Sequence, residues 1–121
     1  MIKAYRLFTG ADGHSHVEVG RVLEDEFFEA GQIRFKETPA KSVYDWHTAP
    51  TDQYVLSLEG TLNFETKTGD SFTLKPGEVL IAQDTTGTAH KWQMIGDLPW
   101  KRAYVTIKQG SQINFIPTLS E

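Results

Sequence analysis

Trp46-His47-Thr48-Ala49-Pro50-Thr51-Asp52-Gln53 runs into the strand-like Tyr54-Val55-Leu56-Ser57-Leu58-Glu59 and then Gly60. Further on, Pro76-Gly77-Glu78-Val79-Leu80-Ile81-Ala82 runs into Gln83-Asp84-Thr85-Thr86-Gly87-Thr88-Ala89-His90. Each stretch joins a histidine to a strand and a glycine turn. Two histidines so far apart in sequence, each at the mouth of a hairpin, meet only if the sheet curls on itself. The spacing therefore points to a small barrel with a polar site inside.

The rest of the chain reads as strand after strand at short spacing. The expected strands are Ile2 to Phe8, His16 to Val22, Gln32 to Glu37, Val43 to His47, Gln53 to Glu59, Thr61 to Thr66, Ser71 to Leu74, Val79 to Ala82, Ala89 to Ile95, Trp100 to Lys108 and Gln112 to Ile116. Turn formers such as Thr68-Gly69-Asp70 and Gly96-Asp97 separate them. The one helical candidate is Glu24 to Ala30, a short acidic run ending at Gly31.

The order of histidine, acid or amide, strand and Gly, then Pro-Gly-Glu, strand, turn and second histidine, resembles the two motifs of the cupin superfamily. Gln53 and Gly60 stand at the spacing of the family's Glu and Gly, and Gly69-Asp70 opens the second motif. The likeness spans about Gln32 to Ile107, and the Asp84-Thr85-Thr86-Gly87 loop is similar to that of small bacterial cupins of unassigned function. It implies an all-β double-stranded β-helix, or jelly-roll, over residues 1–121 as one domain. The chain departs from the family pattern in its ligand set. With His47 as the first histidine of the family's His-x-His pair, the second falls on Ala49; with His47 as the second, the first falls on Asp45. Gln53 replaces the usual carboxylate.

At 121 residues the chain is long enough to bury a core without staples. It has no cysteine, which removes disulfides, thiolate metal sites and thiol nucleophiles. A net charge of −4 with scattered Lys and Arg argues against a nucleic-acid partner. No stretch approaches a membrane span, and the start lacks the apolar run of a signal peptide, so a soluble cytoplasmic protein is expected.

Period two gives the facing of side chains. If Gln53 points inward, Val55 and Ser57 follow, while Tyr54, Leu56 and Leu58 form an apolar opposite face that calls for a second sheet or a second subunit. A homodimer is therefore expected, with N-terminal residues such as Tyr5 or Leu7 at its interface. On the later strand His90, Trp92 and Met94 share a face. The expected pocket is His47, Gln53, Val55, His90, Trp92 and Met94, with apolar walls and a few polar atoms, as in sites for small molecules. Other features read as structural: His14-Ser15-His16 as a solvated turn, Trp46 and Trp100 as core or interface aromatics, and Asp84 to Gly87 as an Asx-type turn.

Three functions stay open. His47, Gln53 and His90 can hold a divalent metal such as Zn, Fe, Ni, Mn or Cu, with an amide oxygen as a weak third ligand. His47 or His90 can instead act as a metal-free base in isomerase- or epimerase-like chemistry, oriented by Asp45, Asp52 or Asp84. The barrel can also bind or sense a small ligand without catalysis. Ligand binding is common to all three.

Overall fold

Residues 1–118 are described by a computed structural model, in which alternation of apolar and polar side chains yields eleven strands. They are β1 (Ile2–Thr9), β2 (Ser15–Val22), β3 (Ile33–Thr38), β4 (Val43–His47), β5 (Gln53–Glu59), β6 (Thr61–Thr66), β7 (Ser71–Leu74), β8 (Val79–Gln83), β9 (His90–Ile95), β10 (Trp100–Thr106) and β11 (Ile116–Pro117). Two sheets form a sandwich: seven strands ordered β11-β2-β1-β8-β5-β10-β3, and four ordered β4-β9-β6-β7. Among the described residues only β1 and β8 pair in parallel. All other pairs are antiparallel.

The facing surfaces of the sheets bury Leu7, Leu62, Leu74 and Phe64 together with Tyr5, Phe72 and Trp100. The rings of Tyr5 and Phe72 stack at 4.4 Å and those of Phe72 and Phe64 at 4.8 Å, filling one end of the sandwich. Tyr5 and Leu7 are thus core residues, and the expectation that they form a subunit interface is corrected. They lie on the inward face of β1, where burial within the chain already removes them from water.

The outer face of the large sheet has its own apolar cluster. Ala4, Val22, Val79, Ile81 and Ile107 are buried there with Tyr54 and Leu56 packed against them. The cover comes from the chain itself, as Ile113 and Phe115 lie on this face. Asn114 anchors that segment: its Oδ1 accepts from Leu23 N at 2.6 Å, and its backbone N–H donates to Tyr54 Oη at 2.8 Å. Leu58 is left exposed. It is the unpaired residue where the β5–β10 register shifts between Lys101↔Glu59 and Arg102↔Ser57.

Glu24 to Ala30 forms no helix. Asp25 sits at φ 61°, outside the helical region, and Phe27 is fully exposed, so the run has no apolar stripe to bury against the sandwich. The C-terminal run expected from Gln112 to Ile116 pairs only at Ile116 and Pro117. Among the described residues no helix is long and apolar enough to cross a membrane.

Candidate functional site

Between the sheets, beyond the stacked aromatics, lies a cavity of about 350 Å³ whose wall includes His47, Gln53, Val55, His90 and Trp92. Five of the six residues expected to share a pocket therefore do so. Met94, the sixth, packs partly buried against the core and is not part of this wall.

His47 reaches the cavity through an irregularity in β4. Val43 pairs with Gln93 and Tyr44 with Trp92, but His47 pairs with His90, so one extra residue is inserted between Tyr44 and His47. A bulge of this kind re-aims side chains. Simple alternation would place residues 44 and 47 on opposite faces. Here the rings of Tyr44 and His47 lie 3.9 Å apart, and both residues contribute to the cavity wall. Trp46 is turned outward, with Lys67 and Lys91 over its ring.

The two histidines adjoin each other across β4 and β9, with ring centroids 4.3 Å apart and planes at 63°. His47 Nδ1 lies 2.7 Å from the carbonyl oxygen of Asp45. A carbonyl can only accept, so Nδ1 carries the proton and Nε2 is left without a partner among the described residues. Burial pushes the His47 imidazole below its ordinary pKa. The Asp45 hydrogen bond opposes that shift, the nearby His90 adds to it, and Asp84 opposes it.

His90 is held more firmly. Its Nδ1 lies 2.7 Å from Asp84 Oδ2, and the same oxygen accepts from the Ser15 hydroxyl at 2.8 Å. Ser15 Oγ in turn accepts from Ala89 N–H at 3.1 Å. Ser15 and Asp84 are wholly buried and His90 nearly so. The orienting acid among the three considered is thus Asp84. Asp45 reaches His47 through its backbone carbonyl, and the Asp52 carboxylate accepts from Gln83 Nε2 at 3.5 Å and touches neither histidine among the described residues. Asp84 Oδ1 is sealed in without a hydrogen-bond partner among the described residues, and Ala89, just before His90, holds φ 90°. Strained backbone and orphaned polar atoms persist only where surroundings fix them, and they gather at functional sites.

The reading of His14-Ser15-His16 divides. His14 and His16 stay at the surface, His16 with Nε2 2.8 Å from Asp12 Oδ2. Ser15, between them, is the inward residue that steadies Asp84. Gln53 is buried on the wall, and its amide makes no hydrogen bond among the described residues.

A basic group on the wall was not foreseen from the sequence. Arg34, Lys36 and Thr38 of β3 pair across from Tyr104, Arg102 and Trp100 of β10, and all six line the cavity. No Asp or Glu does.

No family model matches the sequence, and no curated protein is similar to it. Among solved structures the chain is similar to protein NMB1881 from Neisseria meningitidis, with 17% identity over 72% of this chain and 88% of that one, at a TM-score of 0.44.

Proposed function

We propose that this chain is a cupin-type jelly-roll barrel that binds a small organic molecule in the cavity, with His90 as the group that exchanges a hydrogen bond or a proton with it. The observation that carries the reading is the buried Ser15–Asp84–His90 chain. It fixes the His90 tautomer with the proton on Nδ1 and leaves Nε2 for the cavity, as a carboxylate does for a histidine that serves as base or acceptor. The cavity volume and its mixed lining of aromatic walls and few polar atoms suit such a ligand.

A divalent ion on His47, Gln53 and His90 is a second reading, favoured because both imidazoles engage Nδ1 elsewhere and leave Nε2 uncommitted. The donor set fits it poorly. It offers two neutral nitrogens and an amide oxygen, no cluster of three His, Cys, Asp or Glu exists among the described residues, and Arg34, Lys36 and Arg102 share the wall.

Calorimetric titration of the apo protein with Zn, Mn, Ni and Fe(II), on wild type, Gln53→Glu and His90→Ala, separates the two readings. The metal-free reading expects no stoichiometric site in wild type. A one-to-one site that His90→Ala abolishes and Gln53→Glu tightens would replace it with the metal reading.

We also propose a homodimer that meets through β3. Ile33 and Phe35, 60% and 70% exposed, lie on the outer face of this edge strand. Sedimentation of wild type and Phe35→Glu checks it: a dimer is expected for the first and a monomer for the second.

A further inference from the structure

Arg102 is 3% exposed, yet among the described residues no acidic side chain lines the cavity beside it. None of the ion pairs among the described residues includes Arg102, Arg34 or Lys36. A guanidinium has five N–H donors. Nε donates to Tyr104 Oη at 2.9 Å, and Nη1 donates to Thr38 Oγ1 at 2.6 Å and to the Trp100 carbonyl at 3.2 Å. The two N–H groups of Nη2 remain without an acceptor among the described residues. Nη2 is also not sealed from solvent, since Asp84 Oδ1 is the one fully enclosed polar atom lacking a partner among those residues. The open space beside Arg102 is the cavity.

The neighbours repeat the pattern. Tyr104 Oη and Thr38 Oγ1 each accept from Arg102, which leaves their own O–H groups to donate, and neither finds an acceptor among the described residues. The guanidinium carbon lies 3.8 Å from the centre of the Trp100 ring, so the head group is stacked in place before any ligand arrives. A nearly buried cation without a counterion is costly unless a partner is supplied. Unused donors converge here, and the wall supplies no carboxylate to answer them.

We infer that the cavity's ligand is an organic carboxylate and that Arg102, with the hydroxyls of Tyr104 and Thr38, is the receptor for its anionic end. This rests on the reading of the cavity as a ligand site. The body of the acid would lie along the aromatic side chains of Trp92, Trp100 and Tyr44 and bring its far end toward His47 and His90. A carboxylate is favoured over phosphate because only one guanidinium nitrogen is uncommitted, whereas phosphate groups draw on several charged or backbone donors. Arg34 and Lys36, exposed at the rim, add an attractive field for an entering anion.

The test uses the full chain, with Trp92 and Trp100 as fluorescent reporters in the wall. Benzoate, phenylacetate and cinnamate are titrated against their neutral amides and against inorganic phosphate, in wild type, Arg102→Lys and Arg34→Gln/Lys36→Gln. Carboxylates are expected to bind at least roughly tenfold more tightly than the matched amides, with Arg102→Lys losing about tenfold because a point charge cannot keep the stacked, forked geometry. The rim variant is expected to weaken carboxylates more at low salt than at high salt, and because Arg34 also lies over the Tyr104 ring at 4.7 Å, Lys36→Gln alone is measured beside it and is expected to show the same salt dependence. Chemical-shift change at the Arg102 Nε–H on addition of a carboxylate and not of an amide is the direct signature, and it requires no variant to fold. Equal binding of acids and amides, or tighter binding of phosphate, would overturn the carboxylate inference and leave the cavity reading in place. If neither acids nor amides bind at millimolar concentration, both fall.

Discussion

Replacing Asp84 with alanine removes the acceptor on which the site is organised. Two buried donors, Ser15 Oγ–H and His90 Nδ1–H, then lose their common partner at 2.8 and 2.7 Å. Hydrogen bonds to a charged group contribute about 1.5–3 kcal/mol each, so the gross loss is roughly 3–6 kcal/mol. One relief works the other way. The wild-type protein keeps a carboxylate oxygen, Oδ1, enclosed without a partner, and removing that burden returns about 1–3 kcal/mol. Pairing low with low and high with high, the net expectation is a loss of roughly 2–3 kcal/mol, which for a chain of this length lowers Tm by about 8–12 °C. Asp84→Asn keeps an acceptor for both donors but puts an NH2 group where no partner waits, so its stability should fall between the two. Urea denaturation gives the energies. Nitrogen chemical shifts of the His90 ring give the tautomer, expected as Nδ1–H in wild type and shifted toward Nε2–H in Asp84→Ala. A loss below about 1 kcal/mol together with an unchanged tautomer would refute the claim that Asp84 positions His90.

Two further outcomes follow from local geometry. His47 is held below its ordinary pKa, so the folded state favours its neutral form; its contribution is complete above about pH 6.5 and is lost as pH falls from there through the lowered folded value. Thermal melts from pH 8 down to 5 should therefore fall more steeply for wild type than for His47→Gln, and parallel profiles would contradict this. Gly60 and Gly69 both hold φ 95°, but a Cβ at Gly60 would press on the Pro99 carbonyl oxygen and Trp100 Cα, while at Gly69 it meets open space. Both alanine variants carry the backbone strain, of order 1 kcal/mol, so a further loss of about 1–3 kcal/mol is expected at Gly60 alone, read by urea denaturation.

What the sequence revealed and what it concealed divide along the line between local pattern and strand pairing. Alternation placed most strands within a residue or two and put Gln53, Val55 and Ser57 on the buried face of β5, where they are. The second histidine was legible through the motif resemblance and not through a hairpin: the loop before His90 carries the chain from β8 in the large sheet to β9 in the small one, and these two strands do not pair. Alternation fails where a register shift adds a residue, and the site stands beside two of them. The insertion in β4 turns Tyr44 and His47 onto the same wall, and the shift at Leu58 leaves that residue unpaired while Ser57 keeps its partner Arg102. The basic wall was hidden for a different reason. Lys101-Arg102 read alone is an ordinary charged pair on a strand, and Arg34 and Lys36 read alone are the polar face of an edge. Only the pairing of Arg102 with Lys36 on one side and Ser57 on the other turns the arginine inward, and only the stacking on Trp100 explains how a cation is held there. The polarity of the cavity is thus a property of strand order more than of any motif. The histidine motif marks where the site is, while its charge is set by β3 and β10, which pair across more than sixty residues of intervening chain.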